Sequence, residues 1–454
     1  MKIPKFAFSG FCSILLTTAT AQAEFIQSES YPLRVHYEGP THESAARAAL
    51  DAAEQAWAFQ VDELGFLPPP EDSGHKDSND FDVVLGNNPW GASASILAPA
   101  TDRELGYSSQ ILVDPTAIPD WAFPLVISHE FHHAIQLGIR PMNDGVMEGG
   151  ALLISQLHTG QAWVLSYYLG INAFQANPER SLDWQADVGD FFPYGTSLFF
   201  LFLEQQYGEP ATAALYKSMW DLLSAPEAPD YFDALAQLID FDAAFTTFST
   251  WRYFVGPQDD GQHIQDLADW EANADGRLES VALVEDLAAS DLPTRIVSDG
   301  SGPMPYGATY VRVDLTGLSE AETLHVRFTG DPNLRWSVGS ILTASDQPTE
   351  EVEITATDGL ASLEVPGGKH ETLVVVCTNL GNGQYVPDGS RWWPSTLALD
   401  LQILPTNTDV RETETPPQGG CRAISGTRAA VWVLLILVFC RLTTIKNRAT
   451  CGDS

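Results

Sequence analysis

PDWAFPLVISHEFHHAIQLGIRP, residues 119–141, is one stretch in which helix signals, apolar packing surface and metal-ligand chemistry coincide. Pro119 and Asp120 read as a helix start, with Asp120 as the N-cap and Pro124 tolerated in the first turn. Gly138 and Pro141 read as its stop. Between them Leu125, Val126, Phe131, Ile135 and Leu137 supply apolar surface, so the segment predicts a helix packed into a core. At its centre stands His129-Glu130-Phe131-His132-His133. Residues four apart on a helix share a face, so the imidazoles of His129 and His133 can reach one zinc ion, Zn2+. Glu130, one position round the helix, is placed to take a proton from the water that such an ion activates. His132 is an alternative ligand to His133, but its spacing from His129 is less common in such sites. A supporting or solvent-facing role is expected of it.

A catalytic zinc needs a third protein ligand and an open position. Met147-Glu148-Gly149-Gly150-Ala151 offers Glu148 at the start of the next predicted helix, and the small residues 149–151 would let that helix approach closely. The plainer alternative is a glutamate that complements the helix N-terminus. Acyl chemistry also needs a donor to a developing oxyanion, for which Tyr194, in Phe192-Pro193-Tyr194-Gly195, and His158 are the candidates. A buried aromatic and a surface histidine are the competing readings of those two residues.

Away from this centre, both ends of the chain carry processing signals. Residues 1–23 combine Lys2 and Lys5, an apolar stretch through Phe11, Ile14, Leu15 and Leu16, and the triplet Ala21-Gln22-Ala23, which is the layout of a secretory signal peptide cleaved before Glu24. At the other end, Ala429 to Cys440 is an apolar run between Arg428 and Arg441. It is short against the roughly 20 residues of a spanning helix, and it leads to the expectation of a transmembrane or surface-anchoring segment over 421–454.

The intervening chain divides in two. From Glu24 to about residue 290 the pattern is mostly helical, with strands expected at Tyr31–Tyr37, Phe81–Leu85 and Ser108–Asp114. Helices are expected at Glu43–Leu64, from Pro119, and at Met147–Leu157, Gly195–Tyr207, Pro210–Leu223 and Phe232–Phe254. From Asp291 to residue 405, alternating runs such as Val311, Val313, Leu315 and Leu324, Val326, Phe328 are separated by turn signals, which predicts an all-β sandwich. Residues 406–420 are polar and proline-bearing, as suits a linker. The fold class expected is therefore α+β, a helical domain with a small sheet followed by a β-sandwich.

The chain of 454 residues has 23 basic and 60 acidic residues, a net charge of −37. Without the two terminal segments the balance is 16 to 59, or −43. A body so acidic repels nucleic acid and anionic membrane surfaces, which excludes the nucleic-acid-binding classes. The acidic run Asp77 to Asp82 lacks the glycine and spacing of an EF-hand loop. Of five cysteines, Cys12 and Cys440 lie in the terminal apolar segments. Cys377, Cys421 and Cys451 make no disulfide framework, so the fold must stand on its apolar core.

His129-Glu130-Phe131-His132-His133 followed by Glu148-Gly149-Gly150-Ala151 resembles the gluzincin type of zinc metallopeptidase. The resemblance implies His129, His133 and Glu148 as zinc ligands and Glu130 as general base. More narrowly, the signal peptide, HEFHHAIQ, EGGA, the Tyr194-Gly195 helix, the β-rich C-terminal part and Gly420-Cys421 before an apolar run resemble secreted metalloproteases of myxobacteria. Their terminal Cys-apolar-basic segment is a surface-sorting tag. Two departures stand out. Leu152 occupies the position where some gluzincins carry an aspartate that orients a zinc histidine, so that support must come from elsewhere. The connection from His133 to Glu148 is also short. A metzincin is disfavoured by Gln136 and Ile139 where that pattern needs Gly and His, and no G-x-S-x-G segment points to a serine hydrolase.

The expectation is thus a secreted or surface-anchored zinc endopeptidase acting on protein or peptide. The rival is a surface adhesion or binding protein whose zinc site is structural or degenerate, against which the intact Glu130 speaks.

Overall fold

The computed structural model describes residues 24–71, 74–160, 166–187, 189–225, 227, 230–265, 278–298, 302–345, 347–383, 395–405 and 421–423. The chain is a mixture of helix and sheet with a β-rich C-terminal part.

The first sheet is built from β1 (Glu24–Gln27), β2 (Leu33–Tyr37), β3 (Phe81–Leu85), β4 (Ala92–Pro99) and β5 (Tyr107–Val113), in the order β1-β2-β3-β5-β4. β2, β3 and β5 run parallel, while β1 and β4 add antiparallel edges. The β2-to-β3 crossover contains α1 (Glu43–Trp57), as a parallel pair requires. Alternation sends Leu33, Val35, Phe81, Val83, Ile111 and Val113 into the core. On the opposite face, Arg34 of β2 pairs with Asp80, just before β3, at 2.8 Å, and His36 of β2 pairs with Asp82 of β3 at 2.7 Å.

α1 buries Ala45, Ala46, Ala49, Ala52, Ala53 and Ala56, a stripe of small residues that lets it lie close to its neighbours. It continues into a wider, π-type turn over Ala58–Glu63 that carries the buried Gln60. α2 (Phe123–Ile139) is buried on almost every side, because it lies between the first sheet and α1 on one side and α3 (Asp144–Thr159) on the other. Phe131 packs against Trp57 and Phe81. Fully burying side chains such as Phe131, Ile127 and Ile135 contributes about 1.5–3 kcal/mol each as an upper bound, which offsets the cost of enclosing the polar groups on the same helix.

Among the described residues the helical part continues with α4 (Ser166–Ala176), α6 (Ser197–Tyr207), α7 (Ala214–Leu223), α8 (Tyr231–Leu238) and α9 (Phe241–Trp251), with the single turn α5 (Phe192–Gly195) before α6. The continuous helix expected over Phe232–Phe254 is broken. Asp230 and Asp240 each cap a separate helix by accepting the backbone N–H three residues on. Asp120 is not the expected N-cap, because it sits inside a short 3₁₀ turn leading into α2 and its side chain makes no capping bond. The pattern reading missed α4, and it missed β4, whose Ala-Ser-Ala-Ser start has little strand propensity.

In the C-terminal part, the described residues form two stacked five-stranded sheets. One has the order β11-β10-β13-β8-β6, from β11 (Gln347–Thr355), β10 (Trp336–Ala344), β13 (Thr372–Asn379), β8 (Gly307–Asp314) and β6 (Glu285–Ala288). The other has the order β12-β9-β14-β7-β15, from β12 (Leu360–Pro366), β9 (Glu322–Gly330), β14 (Leu397–Pro405), β7 (Thr294–Ser298) and β15 (Cys421–Ala423). Leu287, Val311, Phe328, Trp336, Val375 and Leu399 share the core between them. β13 reads as an unbroken apolar run because its outer face is covered too: Tyr310, Ile341, Val374 and Val376 pack on Tyr253, Phe254 and Val281. Tyr310 also donates to the Ser249 carbonyl at 2.6 Å. Nearby, His263 bridges Asp260 at 2.8 Å and Glu351 of β11 at 2.6 Å, stacked on Phe254.

The expected signal peptide, the linker and most of the C-terminal apolar segment lie outside the described residues. The expectation of a transmembrane helix is corrected: among the described residues, no helix is long and apolar enough to cross a membrane. Cys421–Ala423, expected to open that terminal segment, instead forms β15 alongside β7.

Candidate metal centre

α2 and α3 meet so that His129, His133 and Glu148 converge, the group of potential metal ligands found among the described residues. His129 Nε2 lies 3.0 Å from His133 Nε2 and 3.1 Å from Glu148 Oε2, and His133 Nε2 lies 3.3 Å from that oxygen. Two imidazole nitrogens and a carboxylate oxygen are the donor set of a catalytic zinc. Tetrahedral bonds of 2.0–2.1 Å place ligand atoms roughly 3.3 Å apart, so the donors fit one small divalent cation in both chemistry and spacing. The two imidazole rings lie edge to face, with centroids 4.6 Å apart and planes at 88°.

Charge and burial act differently on the groups of the cluster. Burial works against a charged His133, but the Glu148 carboxylate outweighs it and pushes the imidazole up to about 9. Burial would raise Glu148, yet His133 and His129 hold it well below the usual carboxylate range. Glu130 differs: burial raises it, opposed by His129 and His133, and it accepts the backbone N–H of Ala94 on β4. The structure therefore separates the two glutamates. Glu148 is an anionic partner of the imidazoles, while Glu130 is a less acidic carboxyl beside them.

Tyr194 stacks on His129, with centroids 6.0 Å apart and planes 15° from parallel, and its hydroxyl bonds Glu148. Burial, then the charges of Glu148 and Glu130, push the phenol well above its ordinary value, so it remains a proton donor. His158 lies elsewhere. Its Nδ1 meets Ser128 Oγ at 2.9 Å and its ring stacks on Phe59, so the structure does not bring this second oxyanion candidate to the cluster.

The glycines after Glu148 do a different job from the one expected. A Cβ on Gly149 would sit 2.0 Å from Thr196 Oγ1, and one on Gly150 would sit 1.8 Å from the Tyr216 hydroxyl. They admit the turn joining α5 to α6 and a side chain of α7. Leu152 is buried and apolar. Support for His133 comes instead from Gln136, whose Oε1 accepts from His133 Nδ1 at 2.8 Å. Gln136 Nε2 donates to the Met147 carbonyl at 3.0 Å and to the Tyr216 hydroxyl at 2.9 Å. His132 is fully buried behind this pair, and burial holds it well below its ordinary value. Its Nδ1 lies 3.0 Å from Gln60 Oε1 and its Nε2 lies 3.2 Å from the Tyr216 hydroxyl. Sequence reasoning missed Gln136, Tyr216, Gln60 and the Ala94 N–H. Only Gln136 had a local signal, lying one helical turn after His133.

No protein-family model matches the chain, and no curated protein matches it. Among solved structures, the mitogen from Yersinia pseudotuberculosis matches with a TM-score of 0.17 and 10% identity, over 26% of this chain and 87% of that one. A family GH115 4-O-methyl-α-glucuronidase matches with a TM-score of 0.15 and 10% identity, over 65% of this chain and 46% of that one. Likenesses this slight carry no argument about fold or function.

Proposed function

We propose that this protein is a secreted, zinc-dependent endopeptidase of the gluzincin type, with His129, His133 and Glu148 holding the metal in a zincin-like helical domain that precedes the β-sandwich. The observation that carries the reading is the convergence of the two imidazole nitrogens and the Glu148 oxygen within 3.0–3.3 Å, with Glu130 beside them. A zinc ion there would polarise a substrate carbonyl and lower the pKa of water.

The chain's own groups supply the rest. Glu130, raised by burial, has a proton affinity better matched to neutral pH than a free glutamate's, so it can take a proton from water and return it to the leaving amine. Tyr194, neutral and beside the cluster, is the candidate donor to the oxyanion. β4 is an edge strand, and the Ala94 N–H on it already reaches Glu130. An extended polypeptide laid along that edge would present its carbonyls at the cluster, which favours a peptide substrate.

The test is metal analysis of the purified protein, with cleavage of an unstructured protein measured with and without chelator and in Glu130→Gln. Zinc near one equivalent, cleavage abolished by chelator and cleavage lost in the metal-retaining variant are the expected results. Zinc binding with no proteolysis in either form would sink the peptidase reading.

A further inference from the structure

Resting on the metal-centre reading, we infer that Gln136, keyed by Tyr216, is a positioning residue that decides which nitrogen of His133 faces the metal. Gln136 Nε2 lies 3.0 Å from the Met147 carbonyl, an atom that can only accept, so the amide is fixed with its nitrogen toward Met147 and its oxygen toward His133. In the neutral form that binds a metal, His133 must then carry its one proton on Nδ1, which leaves Nε2, the nitrogen that faces His129 and Glu148, as the atom free to hold a cation.

The other end of the chain of bonds is fixed in the same manner. Gln60 Nε2 donates to the Ser128 carbonyl at 2.8 Å and to Ser128 Oγ at 3.0 Å, so Gln60 Oε1 accepts from His132 Nδ1. His132 Nε2 is left to accept the Tyr216 hydroxyl proton, and Tyr216 accepts the second amide proton of Gln136. Every donor in this row has an acceptor. Gln60, His132, Gln136 and Tyr216 are at most 2% exposed. Apolar residues of the same size would fill the space without the desolvation cost, so a satisfied polar row ending on a ligand nitrogen is better explained by the ligand than by packing. Its side chains come from the π-type turn after α1, from α2 and from α7, and α3 supplies the Met147 carbonyl. Gly150 leaves the room in which Tyr216 reaches Gln136.

The test is zinc affinity, measured by competition with a chromophoric chelator, alongside the melting temperature of the metal-free protein, for wild type, Gln136→Met, Gln136→Glu and Tyr216→Phe. Loss of the acceptor in Gln136→Met should weaken zinc binding roughly 10–100-fold. Gln136→Glu restores an acceptor for His133 Nδ1 and should recover most of that affinity, although it cannot donate to Met147 and so melts lower than wild type. Tyr216→Phe, which leaves Gln136 in place, should weaken binding in the same direction by a smaller factor. Zinc bound by Gln136→Glu as weakly as by Gln136→Met, or affinities that merely follow the metal-free melting temperatures, would show that the row only packs the core and overturn the inference. A wild-type protein that binds no zinc overturns the metal reading itself, and the inference with it.

Discussion

Replacing Gly150 with alanine adds one methyl group in α3 and touches neither the ligands nor Gln136. The new Cβ would lie 1.8 Å from the Tyr216 hydroxyl oxygen and 2.4 Å from Cζ of the same ring. Ordinary contact is near 3.5 Å, so the phenol must retreat by more than about 1.5 Å. Its bond from Gln136, now 2.9 Å, cannot survive that shift. A Gln136 amide proton, the Tyr216 hydroxyl and His132 Nε2 then lose partners in a dry interior, at about 1–3 kcal/mol for each group left unsatisfied. Repacking around the methyl adds about 1–3 kcal/mol, and the better helix propensity of alanine returns about 1 kcal/mol. Since part of the row can re-pair after the shift, a net loss of about 3 kcal/mol is expected, or roughly 6–12 °C in melting temperature for a unit of this size. Thermal unfolding followed by near-ultraviolet circular dichroism reads the change. Gly160→Ala, at the end of the same helix with a φ of +64° and no atom within 4 Å of the added Cβ, should cost only about 1 kcal/mol. If Gly150→Ala melts within about 2 °C of wild type and binds zinc as tightly, Tyr216 is not seated against α3 and the reasoning fails.

On the proposed mechanism, Glu130→Gln should keep zinc while lowering kcat by about 10²–10⁴, because the proposed proton acceptor is removed and the proposed ligands are not; zinc stoichiometry and steady-state kinetics on one preparation check both halves. Tyr194→Phe should lower kcat by about 10²–10³ with little change in KM if the phenol serves the oxyanion, whereas a rise in KM alone would assign it to substrate binding. Burial opposes the charge on His263, but its bonds to Glu351 and Asp260 prevail and raise its pKa. The protonated bridge therefore contributes stability in full below the unfolded value of about 6.5 and loses it as pH rises through the higher folded value. The melting temperature of wild type should exceed that of His263→Asn most at acidic pH, and the gap should close toward alkaline pH. A gap independent of pH would mean that His263 acts through its stacking on Phe254 alone.

The alternation in β2, β3 and β9, the alanine stripe of α1 and the apolar α2 were legible because burial and local periodicity agree there. β4 was not, since Ala92 to Ser95 has no propensity for a strand and is held in one by pairing with β5. The division of Phe232–Phe254 into two helices was hidden because Asp240 reads as an ordinary polar position until its carboxylate is seen to cap α9.

The same distinction runs through the site. A helix places residues i and i+4 together by its own geometry, so His129 and His133 were fixed as partners, and Glu130 beside them, by a five-residue spacing alone. Gln136 was within reach of the same rule, three positions after His133, and was passed over because glutamine is not itself a zinc ligand. Glu148 could be named from sequence but not placed, for its distance from the imidazoles depends on how α3 crosses α2. Tyr216, Gln60 and the Ala94 N–H belong wholly to the tertiary structure. They reach the site across long sequence separations through packing, and no local pattern records which distant side chain will fill the space that Gly150 leaves open.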